Sequence, residues 1–295
     1  MVYTELTDRI GNNLFQIATG ASLAHNNNSD YLVFITNTKV PEGVYLTEYI
    51  QQFKKNILRK VDFTETLPLG ISKYKQPSFG FKKIHYVNNI YLSGYFQSEK
   101  FFNENFVRDL FSMDKETESY LKSKYGFLLD KDIISINVRR GDYLKRPLRQ
   151  PVCEMPYFKR AIKHFGKQRL YLVISDDIEW CKKKFVNGNF HFIENEPPII
   201  DLYIQACCKH NIISNSTFSW WGAWLNPNPN KVVIAPRKWF GVHLRDYDTK
   251  DLLPTSWLRI DNPKTLGLKV KIIYYWLKDL FKRAYKKLAL PPKNL

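Results

Sequence analysis

From residue 133 to residue 235 the sequence alternates short apolar runs with helix-like segments, a pattern that a parallel sheet with helices on both faces accommodates. Residues 133–138, 170–174, 190–193, 211–214 and 231–235 read as strands, and residues 156–165, 178–185, 199–208 and 218–225 as helices. The first part of the chain signals less clearly. It predicts a helix starting near Leu14, strands at 31–35 and 90–96, a helix at 98–110 and a charged helical connector at 115–124. Residues 41–81, broken by Pro68, Gly70, Pro77 and Gly80, give no assignable pattern. A chain of 295 residues suits two compact units. We place the boundary within residues 112–130, giving units at 1–125 and 126–262 and a separate tail at 263–295.

In open α/β sheets, ligands bind beyond the carboxyl ends of strands, and here three predicted strands end in polar strings. The first is Asn137-Val138-Arg139-Arg140-Gly141-Asp142-Tyr143. Arginine offers fixed, bidentate donors that match phosphate oxygens, so Arg139 and Arg140 suit a diphosphate held without metal; a surface ion pair with Asp142 is the competing reading. The second string is Ser175-Asp176-Asp177. A carboxylate there accepts paired hydrogen bonds from a guanine edge or binds a ribose hydroxyl, unless it caps the helix that includes Trp180. Adjacent aspartates without a third carboxylate make a poor cage for Mg²⁺.

The third string runs Ser214-Asn215-Ser216-Thr217-Phe218-Ser219-Trp220-Trp221-Gly222-Ala223-Trp224-Leu225. Its polar start gives a helix N-terminus with hydroxyls and free N–H groups, which binds phosphate. Its tryptophans read chiefly as core, with one ring left to line a sugar site. At the amino terminus, Arg9-Ile10-Gly11-Asn12-Asn13-Leu14-Phe15-Gln16 sets a glycine, which permits close backbone approach, ahead of another helix.

The formal charge of +17 calls for an acidic partner. Residues 264–295 hold nine lysines and arginines against Asp279 alone, a net +8 of that total. Ile273, Leu277, Leu280, Ala284 and Leu288 fall at helical spacing among these lysines. The tail therefore reads as an amphipathic helix suited to an anionic membrane face, or as a solvated helix packed on the body. A basic nucleic-acid-binding protein is the rival class, but no RNP-like or helix-turn-helix pattern is present and no nucleic-acid partner is expected. No apolar run approaches the roughly 20 residues that cross a bilayer, and nothing resembling a signal segment follows Met1, so a cytoplasmic location is expected. Cys153, Cys181, Cys207 and Cys208 lack paired spacing and read as reduced packing residues.

Taken in this order and spacing, the strings resemble those of the α-1,2-fucosyltransferases, the bacterial members in particular. The amino-terminal string is similar to a G-x-x-G-N-Q-x-F-Q motif, with Asp8 and Asn13 where glycine and glutamine are usual. The central string is similar to H-x-R-R-G-D-Y, with Asn137 in place of histidine. The Ser-Asp-Asp and tryptophan strings match closely, and the likeness covers residues 8–240.

The resemblance implies an α/β, GT-B-like fold in which two Rossmann-like domains face a central cleft. It implies GDP-fucose as donor, no metal or other cofactor, and inversion to an α-1,2 link on a galactose-containing acceptor, as in lipopolysaccharide or O-antigen synthesis. By position, it implies a donor site of Gly11, Asn12, Asn137, Arg139, Arg140, Asp176 or Asp177, Asn215, Ser216, Thr217, Phe218 and Ser219. Trp220, Tyr143 and Glu154 are the acceptor-side candidates. Arg140, with Arg139, would stabilise charge on the departing phosphate. Asp142 is the first candidate for a base and Glu154 the second, with orientation of the arginines as the other role open to Asp142. A glycosyltransferase using another nucleotide-sugar donor is the alternative.

Overall fold

The computed structural model describes residues 1–166 and 168–288, in which two all-parallel sheets follow one another along the chain. The first comprises β1 (Val2–Glu5), β2 (Tyr31–Phe34), β3 (Phe63–Thr64), β4 (Ser72–Lys75) and β5 (Ile90–Ser93), in the order β3-β2-β1-β5-β4. Helices α1 (Ile10–His25) and α2 (Leu46–Lys54) connect its first three strands. After α3 (Glu104–Leu110) and α4 (Lys115–Leu129) comes the second sheet. It holds β6 (Ile133–Val138), β7 (Leu170–Ser175), β8 (Phe190–Phe192), β9 (His210–Ile212), β10 (Val233–Pro236) and β11 (Leu258–Ile260), in the order β11-β10-β9-β6-β7-β8. Its crossovers carry α5 (Met155–Phe165), α6 (Ile178–Lys184), α7 (Pro198–Cys207) and α8 (Thr217–Leu225), and α9 (Leu266–Leu288) closes the described chain.

Strand order reverses between β1 and β5 in the first sheet and between β6 and β9 in the second. The loops leaving those four strands therefore diverge and leave a crevice at each sheet. The second sheet's register, Ile134 beside both Tyr171 and His210, ends β6, β7 and β9 at nearly one level.

Several elements differ from the sequence expectation. Helix α1 begins at Ile10 rather than near Leu14 because its polar first turn is satisfied internally: Asn13 Nδ2 donates to the Thr7 carbonyl at 2.9 Å, and Gln16 Nε2 to the Gly94 carbonyl at 2.9 Å. The expected helix at 98–110 is a 3₁₀ turn, Glu99–Phe101, followed by α3, whose N-cap Asn103 accepts from the Phe106 N–H. Within the unassigned stretch, α2 buries Leu46, Ile50 and Phe53, while β4 is a lysine-bearing edge strand with little apolar alternation. Strands β1 and β11 are four and three residues long, too short to give a period. The part of the expected tail helix at residues 289–295 lies outside the described residues.

The two sheets are joined by aromatic packing. Phe15 of α1 lies 4.5 Å from the Trp220 ring and 4.9 Å from the Trp221 ring of α8, all three fully buried. Phe102, Phe111 and Trp224 complete the cluster. Because Phe15 lies on the helix after β1 of the first sheet and the tryptophans on the helix after β9 of the second, this core fixes how the crevices face one another. Phe15→Ala is expected to lower stability by about 3–5 kcal/mol, measured by urea unfolding; a loss under about 1 kcal/mol would place the join elsewhere.

Candidate active site

A cavity of about 410 Å³ opens where the two crevices meet. The loop after β1 contributes Asp8 and Arg9, the start of α1 Ile10 to Asn12, and the loop after β5 Tyr95 and Gln97. From the second sheet come Asn137 at the end of β6 and Arg139 and Asp142 after it, Ser175 and Asp176 at the end of β7, and Asn215 to Phe218 after β9.

The β6 loop separates its two arginines. Arg139 lines the cavity with its guanidinium held by Asp142 at 2.6 Å and Asp176 at 3.1 Å. Arg140 is turned away: its guanidinium stacks 3.8 Å over Trp180, and its Nε donates to Asp177 at 3.0 Å. Only the Arg140 backbone serves the site, its N–H donating to Asp176 at 2.8 Å. The Arg140 side chain, expected beside the leaving phosphate, is therefore turned out of the cavity, and of the two arginines it is Arg139 that lines the wall. Asp177 is likewise outside the cavity, where its carboxylate caps α6 through the Trp180 N–H at 3.3 Å. Gly141 sits where an added Cβ would come within 2.6 Å of Asp176 Oδ2, so the loop passes too close to Asp176 for a side chain.

Helix α8 points its N-terminus into the cavity through Ser216, Thr217 and Phe218, whose first-turn N–H groups have no intrahelical acceptors. Gly11 is pressed against this turn: a Cβ there would lie 2.5 Å from Phe218 N. Asn12 lines the cavity, its Oδ1 accepting from Gln97 Nε2 at 2.9 Å. Asn137, in the position of the motif's histidine, also lines it.

Other expected contacts are structural. Ser219 is fully buried, and its hydroxyl donates to the carbonyls of Ser214 and Ser216. Asn215 spends its amide on the carbonyls of Pro151 and Trp239 at 3.0 and 2.8 Å. Trp220 is fully buried and donates to the Leu252 carbonyl, which removes it from any acceptor role. Glu154 lies outside the cavity lining, its carboxylate accepting from the Thr265 N–H at 2.8 Å ahead of α9; it is neither base nor acceptor contact. Tyr143 touches the cavity wall but is buried, its hydroxyl donating to the Asn215 carbonyl at 2.9 Å. Asp142 is poorly suited to take a proton. Burial raises its pKa, but Arg139 and then Arg9 outweigh that and hold the carboxyl below its ordinary range.

Sequence reasoning missed Arg9, Arg146 and Arg149, which add positive charge to the cavity wall, and the aromatic side chains Tyr95, Phe79 and Tyr247. It also missed Asp201 on α7, which reads in sequence only as an acidic residue in a helix's first turn.

Residues 1–260 match the family described as "Glycosyl transferase family 11". The "Alpha-1,2-colitosyltransferase" of Escherichia coli is 27% identical over 88% of this chain and 99% of its own length. The E. coli "O-antigen biosynthesis glycosyltransferase WbnK" is 38% identical over 43% of this chain, a match spanning 44% of that protein. The human "Galactoside alpha-(1,2)-fucosyltransferase 1" is 29% identical over 32% of this chain and 29% of its own length. Among solved structures, the fucosyltransferase NodZ from Bradyrhizobium superposes with a TM-score of 0.50 at 12% identity, covering 77% of this chain and 94% of that one. The likeness in fold, with the two facing parallel sheets, is the GT-B arrangement expected from the sequence.

Asp201 lines the cavity without an ion-pair partner among the described residues. Burial, and next the charge of Glu196, push its pKa up from 3.8 to about 7. A raised acid favours the folded state at low pH and loses that contribution as pH climbs towards 7, so at pH 8 the ionised carboxylate costs about 4 kcal/mol. A carboxylate on the cavity wall can accept paired hydrogen bonds from a ligand edge. Asp201→Asn is expected to stabilise the free protein by about 4 kcal/mol at pH 8 and by under about 2 kcal/mol at pH 5, read by urea unfolding. An equal gain at both pH values would show that ionisation is not the cause.

Proposed function

The chain belongs to glycosyl transferase family 11, and on that premise we propose that it moves L-fucose from GDP-fucose to the 2-hydroxyl of a galactose in a surface-glycan acceptor, with inversion. The observation that carries this reading is the convergence of the Arg139 guanidinium and the α8 N-terminus on one cavity at the second sheet's crevice. A pyrophosphate placed there meets bidentate donors on one side and free N–H groups on the other. Asp201 supplies the carboxylate for guanine N1–H and N2–H₂, in place of Asp176 and Asp177, which are committed to arginines. No metal enters the proposed reaction, because Arg139 stands where a divalent ion would neutralise the leaving diphosphate. Relatives named for fucosyl and colitosyl transfer share the 1,2 linkage in their names, which supports it here.

A second donor is favoured by one observation: the relative matched over nearly its whole length is named for colitose. Colitose lacks the 3-hydroxyl of fucose, so the two readings differ by one hydrogen-bonding group on the same donor frame. Transfer assays with each GDP-sugar, with linkage analysis of the product and with and without EDTA, test the proposal. GDP-fucose is expected to support α-1,2 transfer that EDTA leaves intact. Arg139→Ala is expected to lower kcat by about 100-fold or more, while Arg140→Ala retains far more activity. Comparable losses in both variants, or transfer from a uridine donor alone, would contradict it.

We propose further that α9 rests on an anionic bilayer at the cytoplasmic face, where such glycans are assembled. No helix among the described residues is long and apolar enough to cross a membrane. Leu268 and Ile272 dock α9 on Tyr143, Leu144 and Val152, and His243 pairs with Asp279 at 3.4 Å. The opposite face exposes Val270, Ile273, Tyr274, Leu277 and Phe281 beside exposed Lys269, Lys278 and Lys282. Apolar side chains outward with lysines at the flanks suit acyl chains and anionic headgroups together, rather than nucleic acid. Wild-type protein is expected to sediment with phosphatidylglycerol vesicles, and Ile273→Glu/Leu277→Glu to remain in solution; equal sedimentation of both would remove the membrane role.

A further inference from the structure

The carboxylates around the cavity are unequally committed. Asp142 is paired with Arg139 and Arg9, Asp176 with Arg139, and Glu42 with Arg9. Asp201, in the first turn of α7, lines the wall and is the residue proposed above to receive guanine. Asp8 differs from all of these. It stands in the first sheet's crevice, where the loop after β1 meets the loop after β5. Its Oδ2 accepts from two neutral donors, the Tyr95 hydroxyl at 3.1 Å and Asn12 Nδ2 at 3.2 Å. Its Oδ1 has no partner, and no cation lies within ion-pair distance, among the described residues. The backbone at Asp8 has φ 64, the left-handed region that favours glycine. A carboxylate is thus held in the cavity by a residue in a conformation that few side chains adopt, a form of strain that gathers at functional sites.

We propose, on the reading of the cavity as a nucleotide-sugar site, that Asp8 is the general base that takes the proton of the acceptor hydroxyl. The hydroxyl sits between Asp8 and the anomeric carbon of the donor sugar. Its oxygen forms the new bond to that carbon as the bond from carbon to the β-phosphate oxygen breaks. The bonding pair leaves with the diphosphate beside Arg139, and the proton passes to Asp8 Oδ1, which returns it to water once product departs. Tyr95 and Asn12 fix Oδ2 and so aim Oδ1. The groups facing Asp8 leave it this role. Across the crevice, burial and then the charge of Asp8 push the Tyr95 phenol up to about 12, so it stays a donor, with Tyr247 and Arg149 acting on Tyr95 from the second unit. On its own loop, Arg9 is spent on Glu42 and Asp142.

Asp8→Asn tests the assignment, because asparagine keeps the shape and tolerates the left-handed backbone but takes no proton. We expect kcat/KM to fall by about 100-fold or more and the acidic limb of its pH profile to vanish, with GDP affinity kept within about two-fold. Activity within about three-fold of wild type would overturn the proposal. So would a loss that retains the acidic limb, which would make Asp8 an acceptor contact only, or a loss of GDP binding, which would make it a support of the loop. Absence of GDP binding by the wild-type protein would instead strike the underlying nucleotide-sugar reading.

Discussion

The contact on which the rest depends is the seating of the α1 start against α8. The Trp221 indole donates to the Gly11 carbonyl at 3.1 Å while Phe15 packs on Trp220 and Trp221. Buried aromatic area supplies the adhesion, and the absence of a Gly11 side chain lets the two helix starts meet. One element from each sheet is thereby fixed to the other at the point where both strand orders reverse. The cavity is the space that remains between two crevices so joined, and α8 both holds them together and forms part of its wall.

Electrostatics within that cavity is arranged before any ligand arrives. Arg139 is held between Asp142 and Asp176, and the backbone of the same loop is held by Asp176 through the Arg140 N–H. A guanidinium so oriented need not reorganise as charge develops on a leaving group, which is the origin of most electrostatic stabilisation. Asp201 makes the complementary case: its burial without a cation stores an unfavourable charge that a donor-rich ligand edge would relieve.

Much of this was legible in the sequence. The apolar alternation from β6 to β10 and the polar ends of those strands identify a parallel α/β sheet and the edge at which its cavity opens. The tryptophan string read chiefly as core, and its three rings are core. What sequence could not resolve was direction. Arg139 and Arg140 are neighbours of one residue type, yet on a loop leaving a strand they point to opposite sides, and only the placement of Trp180 beneath the loop shows which one faces inward. Asp8 was visible as a departure from a glycine, but its partner Tyr95 lies on another strand's loop, 87 positions away. Asp201 stands in a helix pattern whose apolar spacing conceals that helix's carboxylate, which faces the cavity.

The most direct test of the central claim is a crystal structure of the protein with GDP. The pyrophosphate is expected against the Arg139 guanidinium and the N–H groups of Thr217 and Phe218, with guanine over Asp201 and the Arg140 side chain still stacked on Trp180. A nucleotide bound with its phosphates away from Arg139 and the α8 N-terminus would contradict the account.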